Sequence, residues 1–113
     1  MQKVKLAIPT EGNKGVDDSV SEIFGRAKTF TIVEISEDFI GDVKVVENPA
    51  ASYKYGAGPI VVKMMVDMGV NMATAKEFGP GALVLLEQHN IKTLKVKAGI
   101  SVTETIEYLL NKI

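Results

Sequence analysis

Cysteine and tryptophan are absent from the 113-residue chain, and histidine occurs once, at His89. Without cysteine there is no disulfide framework, no thiolate metal site and no thiol redox chemistry. Neither sign of charge dominates: 13 Lys and Arg stand against 14 Asp and Glu, a formal net charge of −1. That balance lacks the basic footprint of a nucleic-acid binder or of a protein drawn to an acidic membrane. No apolar run approaches the roughly 20 residues of a membrane span, and the first apolar stretch is broken at Pro9, too early for a signal peptide. With 46% hydrophobic and 24% charged residues, the composition is that of a folded chain rather than a disordered one. Residues 1–113 are expected to form one domain with a single sizeable core, at home in the cytoplasm.

The stretch Asn48-Pro49-Ala50-Ala51-Ser52-Tyr53-Lys54-Tyr55-Gly56-Ala57-Gly58-Pro59 organises the rest. It follows a strand-like run and leads into an apolar helical run over 60–68. Gly56 and Gly58 let the backbone turn where a Cβ would clash. Pro59 suits the first helical position, where its missing N–H loses nothing. A helix begun this way offers unpaired N–H groups and the positive end of its dipole to an anion. Phe78-Gly79-Pro80-Gly81 nearly repeats the motif before a second apolar run. Gly-Pro opens helices in any fold, but two such starts in so short a chain point to a ligand face.

Taken in order, residues 4–8 read as a first strand, apolar enough to be central and ended by Pro9. A loop over 10–15 follows. Ser19-Val20-Ser21-Glu22 has capping-box spacing, which predicts a helical turn or two over 20–24, closed by Gly25. Residues 29–35 are β-branched and partly alternating, 36–41 read as a turn, and 42–47 as a third strand in a hairpin with the second. In the helix over 60–68, Lys63 and Asp67 are the only charges, so most of its surface is expected to be buried, and Gly69 fits its C-terminus. Residues 70–75 make a weak fourth strand and 81–88 a second helix. The run 91–97 alternates with lysines on one side, as expected of a protected edge strand. Ser101-Val102-Thr103-Glu104 is another capping box, opening a helix with the stripe Val102, Ile106, Leu109, Leu110 and Ile113.

This order predicts an α/β sandwich with a mixed five-stranded sheet, one strand antiparallel, and helices on both faces. Strands one, three and four then end at a common edge, where the reversed second strand begins. That edge gathers segments 9–15, 21–26, 48–58 and 76–81, and ligands of open α/β sheets sit there.

Ala7-Ile8-Pro9, Ser21-Glu22-Ile23-Phe24-Gly25-Arg26-Ala27, Glu47-Asn48-Pro49-Ala50, Gly56-Ala57-Gly58-Pro59 and Gly79-Pro80-Gly81-Ala82 occur in the order and spacing of one family. Over nearly its whole length the chain resembles the dinitrogenase iron–molybdenum cofactor biosynthesis proteins, of the small NifX and NifB C-terminal type. The resemblance implies a ribonuclease-H-like three-layer sandwich. It also implies a non-catalytic part in cofactor assembly: holding an iron–molybdenum or other metal–sulfur cluster, in company with cofactor-assembly proteins. Many members of the family have His where this chain has Ile23, and His before the Gly-Ala-Gly where it has Tyr55. Both imidazoles are gone here. The thioethers of Met64, Met65, Met68 and Met72 remain as soft donors, but their helical spacing is that of gap-filling core.

What is left suits an anion better than a bare cation. Arg26 can fork onto phosphate, molybdate or cluster oxygens and sulfides, and the amides around Gly12, Gly56, Gly58, Gly79 and Gly81 can cradle the same charge. Tyr55 stands beside them, and Asn13, Asn48 and Ser21 can add hydrogen bonds. Plainer roles compete: Arg26 pairing with Glu22, Asn48 making a turn before Pro49, Gly25 capping a helix. Asp17 and Asp18 with Glu11 could hold a hard cation, although acidic loops are usually just solvated. Enzyme signatures are missing. The dinucleotide fingerprint fails at Val61, no Gly-Lys-Ser/Thr loop occurs, and strands one and two offer Glu34 as their only carboxylate for two-metal hydrolysis. No catalytic residue is expected. The alternatives to a cluster carrier are a protein-interaction module and a binder of phosphates or nucleotides.

Overall fold

A computed structural model describes residues 3–37 and 39–112. Its strands are β1 (Lys3–Thr10), β2 (Thr29–Ser36), β3 (Phe39–Glu47), β4 (Met72–Ala75) and β5 (Lys92–Lys95). The helices are α1 (Ala57–Asp67), α2 (Pro80–Gln88) and α3 (Val102–Lys112), with single 3-10 turns at Gly15–Asp17 and Phe24–Arg26. The sheet order is β3-β2-β1-β4-β5. β2 runs antiparallel to both β1 and β3, while β4 is parallel to β1 and to β5. The single reversed strand and the edge position of β5 match the expectation from sequence.

Alternation along the central strand builds the layers. Leu6 and Ile8 pack with Val33, Ile35, Val102, Ile106 and Leu109, so α3 covers that face. Ala7 points the other way, into a core shared with Phe30, Ile32, Ala73, Ala75 and the buried side chains of α1 and α2. The crossovers through α1 and α2 both step in the same direction along the sheet, which puts the two helices on one face if their hand is the same. Both end alike. The Val70 N–H reaches the Met65 carbonyl at 3.0 Å and the Ile91 N–H reaches the Leu86 carbonyl at 2.9 Å. Gly69 (φ +76°) and Asn90 (φ 59°) take the left-handed residue of this motif. Met64, Met65 and Met68 pack into the α1–α2 core and Met72 against the opposite one, so the methionines do not converge on a shared point.

Several local expectations are corrected. β1 does not stop at Pro9: it continues to Thr10, with Pro9 opposite Phe30. β4 pairs with β1 only at Leu6 and Ala7, so Pro9 lies beyond that ladder, beside the segment of Val20 and Ser21, and its missing N–H removes no bond to β4. Residues 20–23 are not helical, and Gly25 sits inside a 3-10 turn rather than closing a helix. Val20 is held extended by its N–H on the Ile100 carbonyl (2.8 Å), Ser21 donates to the Pro9 carbonyl (2.8 Å), and only Phe24–Arg26 coils. Tertiary hydrogen bonds outbid a local capping signal that had a single turn to offer. Gly41 lies within β3, next to a register shift opposite Val33 and Ile35, rather than in the turn. α1 begins at Ala57 after Gly56 (φ +75°), so Pro59 is its third residue, still in the first turn where no N–H is required. β4 and β5 are also shorter than read. Of the expected α3 stripe, Ile113 lies outside the described residues.

The capping box of α3 is formed reciprocally, Glu104 N–H to Ser101 Oγ at 3.0 Å and Ser101 N–H to Glu104 Oε1 at 3.2 Å. Ser101→Ala is expected to lower unfolding stability by about 1 kcal/mol. Urea denaturation of the variant checks this, and an unchanged midpoint would show that the box carries no weight.

Candidate functional site

The N-termini of α1 and α2 lie side by side. A Cβ built on Gly58 would stand 3.6 Å from the Cβ of Ala82, and one on Gly25 would stand 3.5 Å from the Cβ of Ala57. The turn Phe24–Arg26 is thereby pressed onto the start of α1, and a bridge between Ile23 and Glu77 ties its other side to the segment leading into α2. Beneath, Phe24 stacks edge-on to Phe30 (centroids 5.4 Å) and tilted against Phe78 (5.1 Å). Burying Phe24 fully contributes about 2–3 kcal/mol and keeps these three chain segments in register.

Between the two helix starts opens a cleft of about 290 Å³. Arg26, Tyr55, Gly56, Gly58, Gly79 and Gly81, six of the residues singled out from sequence, line it together. Neither helix has a side-chain cap on its first turn, because both N-cap residues are glycine. The Leu83 N–H already reaches the Gly79 carbonyl, which leaves the amides of Gly81 and Ala82 directed beyond the start of α2. Arg26 is exposed, and its Nη2 donates to the Lys54 carbonyl, which steadies the guanidinium at the rim. Lys54 is itself a lining residue that the sequence reading did not single out. Among the described residues the lining holds no carboxylate and no imidazole, so two cations and two helix dipoles face the same space. Ile23 and Tyr55, the two positions where the family resemblance leads one to look for histidine, both line the cleft. Apolar and phenolic groups stand where metal-ligating nitrogens would.

The other four residues lie elsewhere. The Gly12 N–H donates to Asp18 Oδ2 (3.0 Å), and Lys14 and Ser19 N–H groups complete the grip on the same carboxylate (3.1 and 2.8 Å). The amides of this loop thus already hold an anion supplied by the protein, and Asp18 is committed to them. Asn13 is exposed on that loop, and Ser21 is half-buried with its N–H on Pro9. Asn48 is buried. Its Nδ2 donates to the carbonyls of Gly25 (3.0 Å) and Ala27 (2.9 Å), while its Oδ1 accepts from the Ala50 N–H (2.9 Å). It therefore positions the Arg26 turn from behind. Arg26 does not pair with Glu22 as one plain reading had it: Glu22 faces Lys76 at 3.4 Å. His89 lies at the far end of α2. Groups of three or more His, Asp or Glu poised for a metal ion are absent among the described residues.

A larger depression, about 610 Å³, runs along β3 and the end of α1. Its lining mixes Lys5 and Lys44 with Glu34, Asp42 and Asp67, so charges of both signs meet there with one carboxylate in excess. The smaller cleft has the single sign.

Fold and cleft together define an α/β domain with a cationic cleft at the carboxyl edge of its sheet. The profile of the dinitrogenase iron–molybdenum cofactor family matches residues 3–112, and the chain belongs to that family. An uncharacterized protein of Methanocaldococcus jannaschii is 31% identical over 107 residues, 95% of this chain and 86% of that protein. The apo form of the orange protein from Desulfovibrio gigas superposes with a TM-score of 0.84 at 25% identity, over 96% of this chain and 88% of that one. A Thermotoga protein provisionally described as NifB has a TM-score of 0.78 and 32% identity, over 96% and 88% of the two chains.

Asn48→Ala removes three hydrogen bonds at once and strands the buried Ala27 carbonyl and the half-buried one of Gly25, at an expected cost of about 2 kcal/mol. Chemical denaturation gives the loss and amide NMR shifts at Gly25–Ala27 show where it falls. Wild-type stability in the variant would refute the positioning role.

Proposed function

We propose that this protein is a non-catalytic cytoplasmic carrier that holds an anionic metal–sulfur cluster or oxometallate, of the iron–molybdenum cofactor kind, in the cleft between α1 and α2. The observation that carries the reading is the pairing of two uncapped helix starts with Arg26 and Lys54, with no carboxylate in the lining among the described residues. Amides and a guanidinium bind the outer oxo or sulfido groups of such a cargo; they do not replace ligands on its metal. The missing imidazoles fit this mode, in which the negative charge of the cargo is recognised and its coordination shell is left complete. Delivery to cofactor-assembly proteins is the role that family membership supports. The strand order with only β2 reversed likewise supports the ribonuclease-H-like reading of the fold.

A second reading has its own support. Tyr55 is 88% exposed and Ile23 52%, and both line the cationic cleft with large apolar surface. Such a lining suits a nucleotide, with its phosphate on the helix starts and its base on an aromatic ring, or a protein partner.

Titrating the protein with molybdate under 15N NMR is expected to shift the amides of Gly56, Ala57, Gly58, Gly81 and Ala82. Arg26→Ala should weaken binding about tenfold, since a charge-assisted hydrogen bond is worth roughly 1.5–3 kcal/mol. If neither molybdate nor a preformed metal–sulfur cluster moves these amides, the carrier reading fails. If nucleotides raise the melting temperature in proportion to the logarithm of their concentration and oxometallates do not, the second reading takes its place.

A further inference from the structure

β3 closes one side of the sheet and has a neighbour, β2, on one flank only. Over nine residues its outer flank presents backbone donors and acceptors, and it carries three of the large exposed hydrophobic side chains, Phe39 (76%), Ile40 (46%) and Val43 (40%). A long apolar edge is a template for another strand, and proteins ordinarily blunt it. The opposite edge is blunted in this way: β5 is short and flanked by Lys92, Lys95 and Lys97. β3 is longer, and beside its apolar side chains it carries the register shift between Ile40 and Val43 and the charges of Asp42, Lys44 and Glu47.

We propose that β3 pairs antiparallel with β3 of a second copy of this chain, about a two-fold axis at Val43, to give one continuous sheet across a weak homodimer. The side chains select both partner and register. A two-fold axis perpendicular to the sheet must pass opposite a residue, so few registers are open. Centring on Asp42 opposes two carboxylates, and centring on Lys44 opposes two ammonium groups. Centring on Val43 places Asp42 of each copy opposite Lys44 of the other, twice, on the same face of the sheet. Asp42 and Lys44, two residues apart, fall on one face by the alternation of the strand, and both line the depression beside α1, which Val43 between them also borders. Val43 points to the other face, where a Cβ on Gly15 would meet its Cγ1 at 3.8 Å. There Val43 meets its own copy, with Val45 diagonal to it. Ion pairs form on one face and valines stack on the other. The strand is therefore self-complementary, as an isologous contact demands. The bulge keeps the ladder short, and a strand pair of this length buries less than the roughly 1,200 Å² of a stable complex, so the dimer forms only at high concentration.

The charge pattern supplies its own test. Lys44→Asp and Asp42→Lys each put like charges opposite one another in a homodimer, whereas one of each in a heterodimer restores both attractive pairs. Sedimentation equilibrium from micromolar to millimolar protein should show the wild type self-associating. Each variant alone should associate at least tenfold more weakly, and an equimolar mixture should regain wild-type association. Amide NMR spectra confirm that both variants are folded, because the substituted side chains are exposed. A wild type that stays monomeric to millimolar concentration overturns the proposal. So does a single variant that associates as the wild type does, or a mixture no tighter than its components.

Discussion

The structure depends on a low floor. Ala7, Ala73 and Ala75 form the middle of the sheet on the α1–α2 side, with Ala7 opposite Ala73 in the β1–β4 ladder. Short side chains let both helices settle close to the strands and to each other, until the start of α1 meets α2 at Gly58 and Ala82. The volume left over is taken by Phe24, Phe30 and Phe78 from three different segments, with Phe24 in contact with both of the others. On the opposite face the same strand offers Leu6 and Ile8, and one helix suffices to cover them. A bulkier residue in the floor would lift one helix and part the two N-termini, since cores accommodate added volume by displacement.

From that contact the electrostatics follow. A single helix N-terminus carries about half an elementary charge, felt within its first turn. Two of them converging on one cleft, with Arg26 and Lys54 at its rim, add up without any buried ionised group. Elsewhere the chain neutralises its own donors: Asp18 occupies the amides of the 12–14 loop, and Ser101 with Glu104 closes the start of α3. The two glycine-capped helices are the ones left open, and they are the two that face each other.

Family membership and the departures from the family pattern meet at this cleft. The two positions that resemblance marks for imidazole, Ile23 and Tyr55, lie on its wall. There an aliphatic and a phenolic side chain stand beside Arg26 and Lys54, a wall suited to charge and apolar contact. Under the proposed carrier role, a cargo recognised through its outer atoms needs no ligand from the protein.

Much of this was legible in the residues. Alternation and β-branching marked the strands, Gly69 and the Ser101 box marked helix ends, and the lysines around β5 marked a protected edge. These are local signals, decided within a turn or a strand. The Gly-Pro starts were legible as helix starts for the same reason. The failures all lie where distant segments compete for one backbone. The capping box at Ser19 lost to hydrogen bonds from Ile100 and Pro9, and Gly12 and Asn48 looked available although Asp18 and the carbonyls of Gly25 and Ala27 had claimed them. Lys54 gave no signal at all, because an exposed lysine gains meaning only from what folds up beside it. Sequence alone determined the elements, their order and the family, since these rest on periodicity and short-range stereochemistry. Tertiary structure alone decided which amides remain free and which charges share a cleft, because those depend on close approach between segments far apart in the chain.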